Sequence, residues 1–354
     1  MDIIKSAPLS PAFTGALLYS LTKAPDQVKQ HALQHLGKYL SPKNITRTIT
    51  ALKWLFALGL TRNVHVFLSN LAQNNFRFRS ERRNYDWPNE IAVVTGSSSG
   101  FGALISKGLA DKGINVMCLD LAEEMPDDMK GNAKLHYYQC DVTNRETVLS
   151  VGEQIKREHG EASILINNAG VAYNHHTLDV SEKAIHRLFD VNIISHYWTL
   201  QAFLPDMIKN RKGHVVSLAS MASFLSPPGL IPYCNTKAAV LSLHDGLQQE
   251  TRVAYKCPEI KFTSVHPTYA ATAMTASWRK ELADAKATML DPTDVANAVV
   301  KQVLSGKGAQ LIMGAETSFL AGIRGWPHWL AQTIIHATDG QANMAQKGAE
   351  RTGG

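Results

Sequence analysis

The sequence predicts an α/β fold built on a doubly wound parallel sheet of about seven strands, with helices on both faces and a helical N-terminal extension. Three observations support this prediction. From Glu90 onward, short apolar runs alternate with helical stretches, the runs are almost continuously apolar, and the first run leads straight into a glycine-rich turn. Strands buried on both faces show such continuous runs, whereas strands with one solvated face alternate apolar and polar residues.

Composition limits the class of protein before any motif is considered. The chain has 354 residues, of which 45% are hydrophobic and 19% charged, which suits one large core with an appendage, or two domains. The formal net charge is +6, and much of the excess lies in residues 77–83. This cluster is interpreted as a solvated linker or a membrane-facing patch. Nucleic acid is disfavoured because no recognised binding motif accompanies the cluster. The four cysteines and scattered histidines show no metal-ligand spacing, so we expect no metal and a reducing compartment.

Residues 1–85 are predicted to form the helical extension, as a string of short helices punctuated by prolines. The strongest apolar run, at 51–60, is too short to predict a membrane-spanning helix. Two interpretations stay open for it: a helix packed on the main domain, or an amphipathic helix lying on a membrane. In the second interpretation the apolar side consists of Trp54, Leu55, Phe56, Leu58 and Leu60.

The catalytic domain is predicted to span 86–313, followed by a C-terminal tail over 314–354. Strands are predicted at 91–95, 114–119, 135–140, 163–167, 214–219, 260–265 and 309–313. Helices are predicted at 101–112, 144–158, 181–210, 231–254 and 291–305.

The turn after the first strand, TGSSSGFG at 95–102, is predicted to bind a pyrophosphate. Its glycines allow a tight turn that brings backbone N–H groups and a helix N-terminus close to phosphate oxygens. Asp120 ends the second strand, where a carboxylate can accept both ribose hydroxyls of an adenosine and repel a 2′-phosphate. No Arg or Lys lies in 95–102. The sequence therefore predicts NAD as cofactor in preference to NADP.

Taken with five further motifs, this turn resembles the short-chain dehydrogenase/reductase family, whose single domain has the Rossmann fold. The motifs are Asp141-Val142, NNAG at 167–170, Asn192, Ser220, and Tyr233-x-x-x-Lys237. The resemblance covers residues 90–313, roughly two thirds of the chain. It implies that the cofactor is bound by Gly96, Ser98, Ser99, Gly100, Phe101, Gly102, Asp120, Asp141, Val142, Asn168, Ala169, Gly170, Tyr233, Lys237, Pro267 and Thr272. The two ends of the chain more loosely resemble membrane- or lipid-associated retinol- and sterol-type dehydrogenases.

The predicted catalytic residues are Ser220, Tyr233, Lys237 and Asn192. A phenol has a pKa near 10. An ammonium group one helical turn away, joined by the charge of oxidised nicotinamide, is expected to lower that pKa, so that Tyr233 exchanges a proton with the substrate. The Ser220 hydroxyl is expected to hold the substrate oxygen. The resemblance implies that Lys237 binds the nicotinamide ribose, and that Asn192 bends its helix around a water that links Lys237 to solvent.

One position departs from the family pattern. Thr268 follows Pro267 where the family usually has Gly, which places the backbone contact with the nicotinamide in doubt, while Thr272 stands where the family places its Thr. Residues 268–290 are predicted to be a lid, either folded over its own core or forming an apolar pocket wall together with 224–232. The apolar tail at 318–335 is expected to face a membrane, a twin subunit or the N-terminal helices.

The predicted function is an NAD(P)-dependent oxidoreductase that interconverts an alcohol and a carbonyl on a lipophilic substrate. Two alternatives stay open: a tailoring reductase for a soluble intermediate, and a cofactor-binding scaffold without turnover. We expect a cytoplasmic homodimer that binds no nucleic acid. Peripheral attachment to the endoplasmic reticulum or to lipid droplets is an additional hypothesis.

Overall fold

A computed structural model describes residues 9–284, 287–314 and 318–337 of the chain. The chain divides into two compact units, Met1–Ala72 and Gln73–Gly354. The first unit is helical, with α1 at Pro11–Thr22, α2 at Asp26–Gly37 and α3 beginning at Pro42 and ending at Gln73. The extension was expected to contain only short helices. α3 instead runs for 32 residues, because its single proline occupies the first position, where no backbone hydrogen bond is lost.

In the described residues, each helix is too short or too polar to cross a bilayer.

The second unit contains the predicted parallel sheet, which has seven strands in the order β3-β2-β1-β4-β5-β6-β7. The strands are β1 Ile91–Thr95, β2 Asn115–Asp120, β3 Leu135–Gln139, β4 Ile164–Asn167, β5 His214–Leu218, β6 Lys261–Pro267 and β7 Ala309–Met313. Every adjacent pair is parallel. The prediction of a doubly wound sheet of about seven strands is confirmed.

Helices cover both faces of this sheet. They are α4 Gly100–Ala110, α5 Arg145–Glu158, α6 Glu182–Phe189, α7 Ser195–Lys209, α8 Ile231–Val253, α9 Arg279–Asp284, α10 Pro292–Ser305 and α11 His328–Ala337. The predicted helix over 181–210 is interrupted, because a π-helical turn, Asp190–Ile194, separates α6 from α7.

The strand order determines where a ligand site can form. Neighbours β1 and β4 carry crossovers that leave to opposite sides of the sheet, so a crevice opens at their carboxyl ends. The core beneath the crevice is closely packed. Val94, Ile166 and Val216 are completely buried on one face, and Val93 and Leu165 on the other. The predicted site motifs all follow the carboxyl ends of these strands or the helices that begin there.

Candidate active site

The glycine-rich turn joins β1 to α4 through a close backbone approach. Gly96 has φ +65°, and a Cβ there would lie 2.9 Å from the Ala169 Cα atom. A Cβ on Gly102 would lie 2.0 Å from the Gly96 carbonyl oxygen and 2.5 Å from Asn168 Nδ2. Both positions therefore require glycine, because a side chain would collide with atoms that cannot move away. The first turn of α4 consequently presents its backbone N–H groups to the crevice.

Asn168 fastens this turn to the end of β4. Its Nδ2 group donates to the carbonyl oxygens of Thr95 and Gly96, each at 2.9 Å. The backbone N–H groups of Asn168 and Ala169 both donate to Thr95 Oγ1 at 3.0 Å. The NNAG motif thus fixes the glycine-rich turn across the junction of β1 and β4.

Asp120 lies at the end of β2, beside the turn. One carboxylate oxygen accepts from the Ser98 backbone N–H at 2.8 Å, and the other accepts from Ala122 N–H at 3.2 Å. Asp120 still borders the cavity, together with Leu121 and Asp141. The carboxylate is therefore oriented before any ligand arrives.

Tyr233, Lys237 and Ser220 meet at the floor of the same crevice. Tyr233 and Lys237 lie on the first turns of α8, and Ser220 lies two residues beyond β5. Lys237 Nζ lies 5.7 Å from the centroid of the Tyr233 ring and donates to the Leu218 carbonyl oxygen at 2.7 Å. The Ser220 hydroxyl neighbours the Tyr233 phenol and acts to lower its pKa. The structure thus brings the three predicted side chains together.

Burial dominates the electrostatics of this group. It raises the pKa of Tyr233 to about 12, and the neighbouring Ser220 hydroxyl opposes that rise. Burial also lowers the pKa of Lys237 to about 8. The pKa of Tyr233 therefore lies above its ordinary value, whereas the sequence led us to expect that Lys237 and oxidised nicotinamide together lower it. The reason is that the loss of water around the phenol dominates, while the Lys237 ammonium group is directed at the Leu218 carbonyl.

Ser217 and Ser223 lie near Ser220 in the chain, and neither borders the cavity. Ser217 is buried within β5, and the Ser223 hydroxyl donates to the Lys237 backbone oxygen at 2.9 Å. Ser220 borders the cavity two residues beyond β5, with an extended backbone of φ −171° and ψ 164°.

Asn192 lies in the π-helical turn and is completely buried. Its Oδ1 accepts from Val171 N–H at 2.8 Å, and its Nδ2 donates to the Val171 carbonyl oxygen and to Thr236 Oγ1. These bonds hold the loop after NNAG against α8. The side chain is a structural tie near Lys237, and its hydrogen bonds within the described part of the chain go to Val171 and Thr236.

Thr268 and Thr272 bring the lid to the edge of the crevice. Thr268 does not have a positive φ, so the glycine usual in the family is not required here, and its N–H donates to the Met313 carbonyl oxygen at 3.2 Å. A Cβ on Gly100 would lie 3.8 Å from Thr272 Cγ2, so the lid begins opposite the glycine-rich turn.

One cavity of about 1410 Å³ connects these features. All the predicted cofactor-binding and catalytic residues border this cavity except Ser98, Gly102 and Asn192. The predicted apolar walls also border it. They include Leu225 and Leu230 from the 224–232 loop, and Tyr269, Met274, Trp278, Leu282 and Leu290 from the lid; Met289 does not contribute.

The sequence missed a third wall of this cavity. Residues 318–337 pack against the turn after β5, where Leu320, Ile323 and Ala331 form a buried cluster with Met221 and Phe224. Arg324 Nε donates to the Phe224 carbonyl oxygen at 3.1 Å. The tail was expected to face a membrane, a twin subunit or the N-terminal helices, and the turn after β5 was not among these. The apolar composition of 318–335 predicted that the tail faces another surface, but it did not identify this partner. Residues 315–317 and 338–354 of the predicted tail lie outside the described residues, as do residues 1–8 of the extension.

Within residues 9–284, 287–314 and 318–337, no cluster of three or more His, Cys, Asp or Glu side chains is placed to bind a metal ion.

Comparison with known proteins assigns the family. The model of the family described as short chain dehydrogenase matches residues 90–283, more than half of the chain. The chain belongs to the short-chain dehydrogenase family. It is therefore an oxidoreductase that acts on alcohols or their carbonyl products with a nicotinamide nucleotide as cofactor.

Several curated relatives are dehydrogenases. Dehydrogenase RED2 of Cochliobolus heterostrophus is 37% identical over 230 residues, which cover 65% of this chain and 84% of the relative. Human estradiol 17-beta-dehydrogenase 11 is 34% identical over 221 residues, 61% of this chain and 72% of the relative. Mouse epidermal retinol dehydrogenase 2 is 38% identical over 191 residues, 52% of this chain and 62% of the relative.

Solved structures show the same fold. A short-chain dehydrogenase/reductase from Burkholderia phymatum, in complex with NAD, superposes with a TM-score of 0.62 at 23% identity. The match covers 68% of this chain and 94% of that one.

Proposed function

We propose that this enzyme uses NAD to interconvert an alcohol and a carbonyl on a lipophilic substrate, with Tyr233 as the proton carrier. The observation that carries the proposal is a single cavity. At one end it presents the glycine-rich turn and Asp120, at its floor Ser220 and Tyr233, and at its other end three apolar walls. Binding sites for apolar ligands have this composition, with few polar groups that fix orientation.

Each polar group has a separate task in this proposal. Ser220 donates a hydrogen bond to the substrate oxygen and steadies the charge that develops there. Tyr233 gives that oxygen a proton during carbonyl reduction and takes one during alcohol oxidation. Lys237, held by the Leu218 carbonyl, keeps a positive charge beneath the site. The nicotinamide cofactor, when bound, supplies or accepts the hydride.

The residues present fit such a cofactor. The positions of Gly96 and Gly102 leave no room for side chains, so the turn can approach a pyrophosphate closely. Asp120 is oriented by two backbone N–H groups and has the charge to accept ribose hydroxyls and repel a 2′-phosphate. These features favour NAD over NADP.

The raised pKa of Tyr233 suits the reducing direction. A phenol with a pKa of about 12 is protonated at neutral pH, and this is the form that donates to a carbonyl.

A substrate panel with a matched variant tests this function. Purified full-length protein is assayed with NAD and with NADP on 1-decanol, retinol and estradiol, and turnover is followed by nicotinamide absorbance. Tyr233→Phe is expected to lower kcat by at least about 100-fold while NADH still binds, because only the transferable proton is lost. Tyr269→Phe, a second tyrosine at the same cavity, serves as the control and should keep kcat within a few-fold. Equal loss in both variants would contradict the proposal.

We also propose that the N-terminal unit binds an anionic membrane surface. Residues 9–72 contain seven Lys and Arg residues and a single acidic residue, Asp26. On α3, Trp54 is 68% exposed and Leu58 is 57% exposed. Phe56, which was predicted on the same apolar side, is half-buried with its ring facing Gly15 of α1. An amphipathic helix with these features partitions into the head-group region.

Vesicle flotation distinguishes this proposal from a helix that needs no membrane. Wild-type protein should float with phosphatidylcholine vesicles that contain phosphatidylserine, and less with phosphatidylcholine alone. The Trp54→Ser/Leu58→Ser variant should float several-fold less. Leu178→Ser is the control, since Leu178 is 96% exposed elsewhere in the chain. Equal flotation of wild type and the double variant would refute the role of α3.

A further inference from the structure

His266 is the last residue of β6 before Pro267, and it is completely buried. Its Nδ1 atom lies 3.1 Å from the backbone carbonyl oxygen of Ser220. A carbonyl oxygen can only accept, so Nδ1 must carry the hydrogen and the imidazole is the donor. Within the described part of the chain, the other ring nitrogen, Nε2, has no hydrogen-bond partner.

This imidazole is a neutral donor and not an acid or a base. Burial lowers the pKa of His266 to about 4, and the charge of Lys237 acts in the same direction, against the effect of the Ser220 carbonyl. At neutral pH the ring therefore has one hydrogen, and the bond to Ser220 determines which nitrogen holds it. The Phe224 ring, with its centroid 4.8 Å away, restricts rotation of the imidazole.

The hydrogen bond from His266 to Ser220 lies just beyond the end of the pairing between β5 and β6. The β5–β6 ladder ends with the pair Leu218 and Val265. Ser220 lies beyond that last pair, and two contacts tie it to β6. One is the bond from His266, and the other is the Ser220 hydroxyl, which lies 3.4 Å from the Pro267 carbonyl oxygen. Only the first is short, and only the first leaves the hydroxyl available to another acceptor.

We propose that His266 is a positioning residue that holds the Ser220 backbone through its Nδ1–H group, so that the Ser220 hydroxyl faces the substrate oxygen. This inference rests on the proposed function, in which Ser220 binds that oxygen. His266 itself contacts neither substrate nor cofactor in this role, and it acts through Ser220 alone.

Two amide substitutions test separately a hydrogen-bond donor at the position of each ring nitrogen. His266→Asn places an N–H donor near the position of Nδ1, whereas His266→Gln places it near the position of Nε2, away from Ser220. Full-length enzyme is assayed with NAD on whichever of 1-decanol, retinol and estradiol it oxidises fastest. His266→Asn should stay within about threefold of wild type in kcat, and His266→Gln should fall about tenfold, the loss of one buried hydrogen bond. The dissociation constant for NADH, measured by fluorescence, should stay unchanged in both variants.

The same pair in a Ser220→Ala background tests whether His266 acts through Ser220. Without the Ser220 hydroxyl, His266→Gln should lower kcat no further, because the group that it positions is gone. His244→Gln is the matched control, since His244 is also buried and has a ring nitrogen without a partner in the described residues, but it makes no bond to Ser220. Its effect should be the same in both backgrounds.

Each other outcome overturns a defined statement. Equal kcat in the Asn and Gln variants would overturn the inference, because the position of the donor would then not matter. An undiminished tenfold loss in the Ser220→Ala background would also overturn it, while leaving the proposed function intact. Wild-type kcat in Ser220→Ala alone would instead remove the role of Ser220 from the proposed function, and an enzyme that oxidises no panel alcohol would remove both.

Discussion

Replacing Lys237 by methionine tests whether this lysine is held away from water. Lys237 is only 4% exposed, and burial lowers its pKa from 10.5 to about 8. This fall costs the folded state roughly 3 kcal/mol at pH 7, since a tenfold change in proton affinity is worth about 1.4 kcal/mol. Methionine is nearly isosteric with the lysine stem and carries no charge, so the variant does not have this cost.

The pH dependence of the free energy of unfolding separates the cost of burying the lysine charge from the effect of the lost hydrogen bond. The unfolded lysine keeps its proton up to about pH 10.5, whereas the folded one loses it above about pH 8. Wild-type stability therefore rises with pH in this window, and the variant lacks the rise. The Leu218 carbonyl loses its donor in the variant, which costs about 1–3 kcal/mol at every pH.

The stability advantage of the variant over wild type is expected to decrease as the pH rises. The free energy of unfolding of Lys237→Met minus that of wild type should fall by about 2 kcal/mol between pH 7 and pH 9.5. Urea denaturation followed by tryptophan fluorescence measures it. Lys301→Met is the control, because Lys301 is exposed on α10, and its difference from wild type should stay constant. A Lys237→Met difference that is also constant with pH would refute the reasoning.

Three further predictions concern the glycine-rich turn, the cofactor and a buried ion pair. Gly102→Ala should lower the free energy of unfolding by about 1–3 kcal/mol and weaken NADH binding, because its Cβ would lie 2.0 Å from the Gly96 carbonyl oxygen. Gly246→Ala in α8, where a Cβ meets nothing within 4 Å, should instead stabilise. Asp120→Asn should reduce the ratio of kcat/KM with NAD to that with NADP by about tenfold or more, because the charge that repels a 2′-phosphate is lost. Lys212→Met should lower the free energy of unfolding by about 1–3 kcal/mol in urea titrations, because the buried Glu90 carboxylate, 2.8 Å from the partly exposed Lys212 Nζ, loses its partner cation and keeps only the donors Ser163 Oγ and Asp86 N–H.

The helical extension shows how local signals fail when a helix depends on packing. Prolines before residue 43 predicted short helices, and they do separate α1, α2 and α3. After Pro42 no proline occurs until Pro88, so α3 continues through Gly59 to Gln73, and it carries many apolar residues. Which of them are buried depends on neighbouring helices, as the half-buried Phe56 beside Gly15 demonstrates.

The sequence by itself determined the parallel sheet, the glycine-rich turn and the placing of Tyr233 and Lys237 on one face of a helix. These depend on short-range properties: continuous apolar runs, a turn that only glycine can make, and the spacing of residues along one helix. Only the tertiary structure decided the raised pKa of Tyr233, the closing of the cavity by residues 318–337, and the bond from His266 to Ser220. Each of these depends on which distant segments exclude water from a group or approach it in space, and no pattern within a short window of sequence contains that information.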